Sequence, residues 1–422
     1  MWWDKIAAVF KTKDLRNKIL FVLGLLVVFR AGAAIPIPGV DVDQLKGFFE
    51  GNQFFGLLNI FTGGALDNLS ILMLGVGPYI TASIIMQLLT MIFPALKTMY
   101  QEEGEVGRQK FNQYSRYLTV PLAFMQAYGL LLLLERQDVL PQLNLFGLIT
   151  NMVIVSAGSI FLMWLGELIS EKGIGNGISL LIFAGIIASL PTQAGQLVAT
   201  YDASQIPTYI GFLAAAFFII AGVVLINEGQ RNVPVSYAKR VRGFRMFGGV
   251  STHLPLRVNQ AGVIPIIFAL SILLFPAMIA NFLTLLNVPR LANIAQSISQ
   301  FFNQGAYYAI SYFILVVLFT YFYTAVTFDP KAISENLQKQ GAFVPGIRPG
   351  QQTAEFMGRI INRITLVGAL ALGIIAILPF ITQGFTGLAT LAIGGTSLLI
   401  VVSVVLETIK QIEAQLSLRE YE

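Results

Sequence analysis

The sequence predicts an all-α polytopic membrane protein. Its ten transmembrane helices form two pseudo-symmetric inverted five-helix halves, and a short re-entrant helix that does not span lies within the first half. Three observations predict this. Of the 422 residues, 55% are hydrophobic and 12% charged, about half the charged fraction of an ordinary soluble domain. Apolar runs long enough to bridge a hydrocarbon core of about 30 Å recur along the chain. Lys and Arg crowd to one side of these runs, 23 of the 27 in all, and the positive-inside rule makes that side cytoplasmic.

The elements follow in order. Residues 1–18, MWWDKIAAVFKTKDLRNK, read as a basic amphipathic cytoplasmic segment. No small-residue cleavage site follows the first apolar run, so no cleaved signal peptide is expected. Spans are expected at 19–34, 71–93, 117–134, 150–169, 177–190, 208–227, 261–281, 305–327, 362–381 and 387–406. Residues 19–190 make an N-terminal half, 191–207 an external hinge loop, 208–406 a C-terminal half and 407–422 a cytoplasmic tail. Five spans per half is an odd number, so the halves have opposite topology, and inverted repeats are one natural construction. The span count alone carries that inference.

Most chemistry is excluded. The chain has no cysteine and one histidine, His253, and its carboxylates are not clustered, so neither thiolate chemistry nor a protein-bound metal is expected. There is no H-E-x-x-H and no G-x-S-x-G, and KGIGNGIS at 172–179 lacks the strand that a dinucleotide fingerprint follows. That stretch reads as a tight turn between helices. His253 reads as a surface or turn residue. The chain is thus not expected to be an enzyme or to hold a cofactor. Arg30 and Glu167 sit near helix ends rather than in mid-membrane, where a proton or sodium relay would place them. Any pathway would be apolar at its narrowest point.

Two regions resist a plain helical reading. In FFGLLNIFTGGALDNLSILMLGVGPYI, residues 54–80, an apolar helix stops after eight residues. At 1.5 Å per residue it reaches about 12 Å, far short of a span. A second run then restarts near Ser70 and carries Gly75, Gly77 and Pro78 at its head, which leaves its early turns weak. The cytoplasmic loop 228–260 mixes six basic residues with Tyr237, Phe244, Met246 and Phe247. The alternation in VPVSYAKRV suits an exposed hairpin. This loop is either a docking arm for a large acidic or RNA-rich partner or a charged connector that enforces topology. The loop 328–362 is too long and too rich in Pro and Gly for a mere connector.

The stretches GGALDNLSILMLGVGPYITASIIMQLL, MWLGELISEKGIGNGIS, STHLPLRVNQAGVIP, AFVPGIRPGQQT and GGTSLLIVVSVVLE closely resemble the bacterial SecY proteins, the channel subunit of the Sec translocon. The resemblance covers most of the chain in family order. The outer loops near 138–148 and 192–206 and the tail carry no matching motif. It implies an hourglass channel in the bacterial cytoplasmic membrane, multi-pass with both termini cytoplasmic. Unfolded polypeptides cross its centre, and transmembrane segments leave sideways into membrane lipid between the second and seventh helices. It implies SecE and SecG as membrane partners, and the ATPase SecA or a translating ribosome on the cytoplasmic loops, with signal sequences as further ligands.

Residue by residue, the resemblance makes 54–69 the plug, including Leu57, Leu58, Ile60, Phe61, Gly63 and Gly64. A pore ring maps to Val76, Ile80, Ile182, Ile267 and Ile400, the lateral gate to Thr81 and Phe275. Arg348 in GIRPG matches the arginine of SecA coupling, and Arg242 with Arg245 the tip of ribosome docking. An aliphatic ring binds no ion and dewets when narrow; the same residues also suit ordinary helix packing. The contrasting reading of the whole chain is a secondary transporter of a small solute, since inverted halves and broken helices build those too.

Overall fold

The computed structural model describes residues 11–38, 62, 64–66, 68–136, 140–141, 144–199, 206–237, 240–242, 245–247, 251–273, 305–386 and 389–420. Helices dominate them: α1 (Lys13–Ala33), α2 (Gly77–Ile92), α3 (Pro94–Gln101), α4 (Gly104–Arg136), α5 (Leu145–Lys172), α6 (Gly177–Ala199) and α7 (Ile206–Glu228). After four strands come α8 (Ile264–Leu273), α9 (Gly305–Thr327), α10 (Pro330–Lys339), α11 (Gln351–Thr386) and α12 (Ala389–Glu420). Four helices, α4, α5, the run through α9 and α10, and α11, are long and apolar enough to cross a membrane. The bent pair α2 and α3 makes a fifth if counted as one span.

Helices up to Ala199 pack on one another, α4 against both α2 and α5, and α5 against α1 and α6. Helices from Ile206 onward do likewise, α9 against α11 and α7 against α11 and α12. The α6–α12 contact joins the two groups.

Small residues allow the closest approaches. A Cβ at Gly177 would collide with the carbonyl of Gly166, so α6 starts directly against α5. The intervening KGIGNGIS is the tight turn expected: Gly175 takes φ +93°, a region open to glycine. Asn176 then caps α6, its Oδ1 accepting from Ile178 N–H at 3.1 Å and Ser179 N–H at 3.3 Å. At Gly158 a Cβ would strike the carbonyl of Ile71. Gly158→Ala is therefore expected to cost about 1–3 kcal/mol through overpacking. Gly129, with nothing within 4 Å of such a Cβ, is the control. Thermal unfolding in detergent should fall for the first and hold or rise for the second.

Three expectations need correction. The second run does not restart as a helix near Ser70. Residues 70–76 are consecutive turns, with Met73 N–H on Ser70 O, Gly75 N–H on Leu72 O and Gly77 N–H on Leu74 O. The α-helix begins at Gly77, and Pro78 lies in its first turn, where a missing N–H costs nothing. Pro78 is thus a good start, and the irregularity lies before it. That segment is tied to the chain after α1, with Ile37 N–H on Leu69 O and Ile71 N–H on Ile35 O, each 2.9 Å.

The alternating stretch at 233–241 is no self-contained exposed hairpin. Strand β1 (Gln230–Tyr237) pairs antiparallel with β4 (Ser251–Arg257) and with β5 (Ala342–Phe343). Val233 and Val235 are buried, and Val233 packs in a small core with Leu256, Val344, Ile360 and Ile361. One sheet therefore joins the loops 228–260 and 328–362 into a single platform. A separate short hairpin, β2 (Arg240–Arg242) with β3 (Arg245–Phe247), rises from it. His253 lies exposed on β4, opposite Pro234.

Helix ends also run past the apolar windows. The ninth expected span, 362–381, is the inner part of α11, which starts at Gln351, and α12 continues to Glu420. Polar residues continue a helix without difficulty once it leaves lipid.

Candidate functional site: an apolar constriction

Five aliphatic side chains from distant parts of the chain are buried in the same extended hydrophobic cluster. Val76 is the N-cap residue of α2, and its carbonyl accepts from Ile80 N–H at 3.0 Å, so both occupy one face. Ile182 comes from α6, Ile267 from α8 and Ile400 from α12. All five are 0–4% exposed and belong to one contiguous hydrophobic cluster. Ser159 of α5 donates its hydroxyl to the Gly75 carbonyl at 2.9 Å, which holds the irregular turn that presents Val76.

Thr62 and Gly64 of the expected plug are buried, and Gly64 has φ +77°. Thr62 shares a void of about 10 Å³ with Phe29, Gly75, Val76, Leu162, Leu181 and Ile182. At that size the gap holds at most one water. Leu57, Leu58, Ile60, Phe61 and Gly63 lie outside the described residues, as does Phe275. Thr81 is buried on α2.

Phe29, Leu162 and Leu181 were missed by sequence reasoning. Each is one apolar residue in an apolar helix, and nothing in local pattern separates a constriction from packing. Glu167 was expected to lack a relay role. It ion-pairs with Arg116 of α4 at 2.6 Å, a pairing that satisfies both side chains between α4 and α5.

The residues expected to dock partners lie on the loops that build the platform. Arg348 is exposed on a turn that is fixed on several sides. Its carbonyl accepts from the Thr353 hydroxyl at 2.9 Å, and Ser334 donates to the Gly350 carbonyl at 2.6 Å. Gly346 and Gly350 take φ +82° and +99°. Arg242 and Arg245 face each other in register at the end of the β2–β3 hairpin. Among the described residues no group of His, Cys, Asp or Glu could hold a metal ion.

Apolar helices packed on one hydrophobic cluster, with a sheet-built platform rich in basic residues, are the frame of a polytopic membrane protein. Comparisons with known proteins give the family. A family model for SecY matches residues 70–409. The protein translocase subunit SecY of Streptomyces galbus is 43% identical over 436 residues, covering 99% of this chain and 98% of that protein. That of Mycobacterium tuberculosis is 42% identical over 432 residues, covering 98% and 97%. The chain belongs to the SecY family of protein-conducting channel subunits.

The fold agrees at lower identity. A solved protein-conducting channel superposes with TM-score 0.63 at 20% identity, covering 94% of this chain and 91% of the other. A SecY structure concerned with its plug domain gives 0.65 at 20% identity, with the same coverage. Canine Sec61 in a ribosome–channel complex gives 0.58 at 18%, again covering 94% and 91%.

Proposed function

We propose that this chain moves unfolded polypeptides across the bacterial cytoplasmic membrane and releases transmembrane segments sideways into lipid. Ten spans in two inverted halves would part like a shell, with 191–207 as hinge and both termini cytoplasmic. Val76, Ile80, Ile182, Ile267 and Ile400 form the seal, 54–69 plugs it, and Thr81 with Phe275 borders the lateral opening. The observation that carries this reading is the burial of those five aliphatic side chains in one hydrophobic cluster, with the plug-side Thr62 lining the same small gap as Val76 and Ile182. Aliphatic groups exclude ions when tight and yield around any side chain when parted. The chain catalyses nothing, and its driving force comes from partners.

SecE and SecG would flank it in the membrane, while SecA or a ribosome occupies the platform through Arg348, Arg242 and Arg245. The test is reconstitution with SecE, SecG and SecA in proteoliposomes. A precursor bearing a hydrophobic signal should become protease-protected on ATP addition. Uptake of a small solute down an ion gradient, with no protected precursor, would instead indicate a secondary transporter.

The hairpin tip carries its own prediction. If Arg242 and Arg245 meet RNA phosphates, ribosome affinity falls with salt, and the double Arg→Glu variant flattens the log–log slope by about 1.5 units. An unchanged slope in a sedimentation assay would reduce these charges to topology signals.

A further inference from the structure

Helix α9 runs into a proline. Pro330 stands four residues after Val326 and has no N–H, so the Val326 carbonyl lacks its ordinary intrahelical donor. A carbonyl at a partly buried helix end is costly to leave unpaired. The donor comes from far away in sequence: Gln101 Nε2 donates to Val326 O at 3.0 Å.

Gln101 is well placed to reach it. It ends α3, which turns 113° from α2 after Phe93. The C-terminal end of α3 is closed by Glu102 and Glu103 N–H groups on the Thr98 carbonyl, at 2.8 and 3.1 Å. Next to it the Tyr100 ring packs on Phe111 of α4, with centroids 4.8 Å apart. α3 is thus fixed to α4, and its last side chain crosses to α9. The bond joins the two packing groups through a different pair of helices from the α6–α12 contact.

We propose that Gln101 is a gating residue whose hydrogen bond to the Val326 carbonyl latches the closed channel and sets how hydrophobic a signal must be to open it. This rests on the reading above, in which the two halves part along one side. Parting them separates α3 from α9 and breaks the bond. The chemistry suits a reversible latch. A neutral amide on a carbonyl is strong enough to bias an equilibrium and weak enough to be lost in each cycle. An ion pair in its place would be harder to break away from water.

The test compares Gln101→Leu, which cannot donate, with Gln101→Lys, which can. Each is assembled with its membrane partners and given a precursor whose signal has been made less apolar. Loss of one net hydrogen bond shifts the closed–open equilibrium by roughly fivefold. Export of that precursor should rise by about this factor with Leu and stay at the parent level with Lys. The chain contains no cysteine, so a Gln101→Cys, Val326→Cys pair can be bridged by a short bismaleimide without side reactions. Bridging should block insertion of a transmembrane segment, and a reducible linker should restore it on reduction. Equal stringency in Leu and parent, or insertion through the bridged channel at the parent rate, would overturn the latch. A ring-polarised variant run alongside separates two kinds of failure. If ring polarisation relaxes stringency and Gln101→Leu does not, the latch alone fails. If neither does, the channel reading fails with it.

Discussion

Replacing Ile80, Ile182 and Ile267 together by Asn is expected to turn a tight closed channel into a leaky one. Each isoleucine is at most 4% exposed within one hydrophobic cluster. Losing such a side chain from a closed core costs about 2 kcal/mol or more, although neighbouring sites do not add independently. Even half the simple sum would move a closed–open equilibrium more than tenfold. The amides would also wet a constriction that excludes ions only by being apolar. Two readouts should change together: ion leak through the resting channel should rise, and precursors with weakened signals should be exported. Near-parental yield and melting in detergent would exclude simple misfolding as the cause.

Arg348→Glu is the second large effect. The residue is exposed, and the turn is held by main-chain contacts through Thr353, Ser334 and two positive-φ glycines rather than by the guanidinium. Stability should change by no more than about 0.5 kcal/mol. SecA-driven translocation should nevertheless fall more than tenfold, because the turn now offers a carboxylate to a partner expecting a cation. Transport of a precursor into inverted vesicles, at matched protein levels, measures it. Normal transport would remove Arg348 from the coupling surface.

How much of this was legible in the sequence depended on the element. Existence of most helices followed from apolar runs, because lipid demands them. Their ends did not, since α11 extends to Gln351 through polar residues that obey no membrane constraint. Residues 70–76 looked like the start of a span because they are apolar. Their apolarity serves burial against α5, and the backbone there follows turns closed by three-residue bonds. Alternation at Val233 and Val235 marked a strand correctly. It could not announce partners at 251–257 and 342–343, because pairing is set by tertiary packing and not by local period.

The proposed constriction was the least visible part. Val76, Ile80, Ile182, Ile267 and Ile400 look like every other aliphatic residue in a chain that is 55% hydrophobic, and only the family resemblance singled them out. Charged or metal-binding sites announce themselves by residue type. A cluster of isoleucines does not. The Gln101–Val326 contact was invisible for a related reason, as one half of it is a main-chain carbonyl orphaned by Pro330.

The central claim is that the plug segment and the aliphatic ring are two seals in series. Planar-bilayer conductance of the purified complex tests it most directly, comparing the parent with a chain that lacks 57–66 and carries Asn at Ile80, Ile182 and Ile267. Deletion alone should give intermittent openings, since neighbouring residues can refill the funnel. The combined variant should conduct persistently. A combined variant that stays at the parent's closed level would contradict the account.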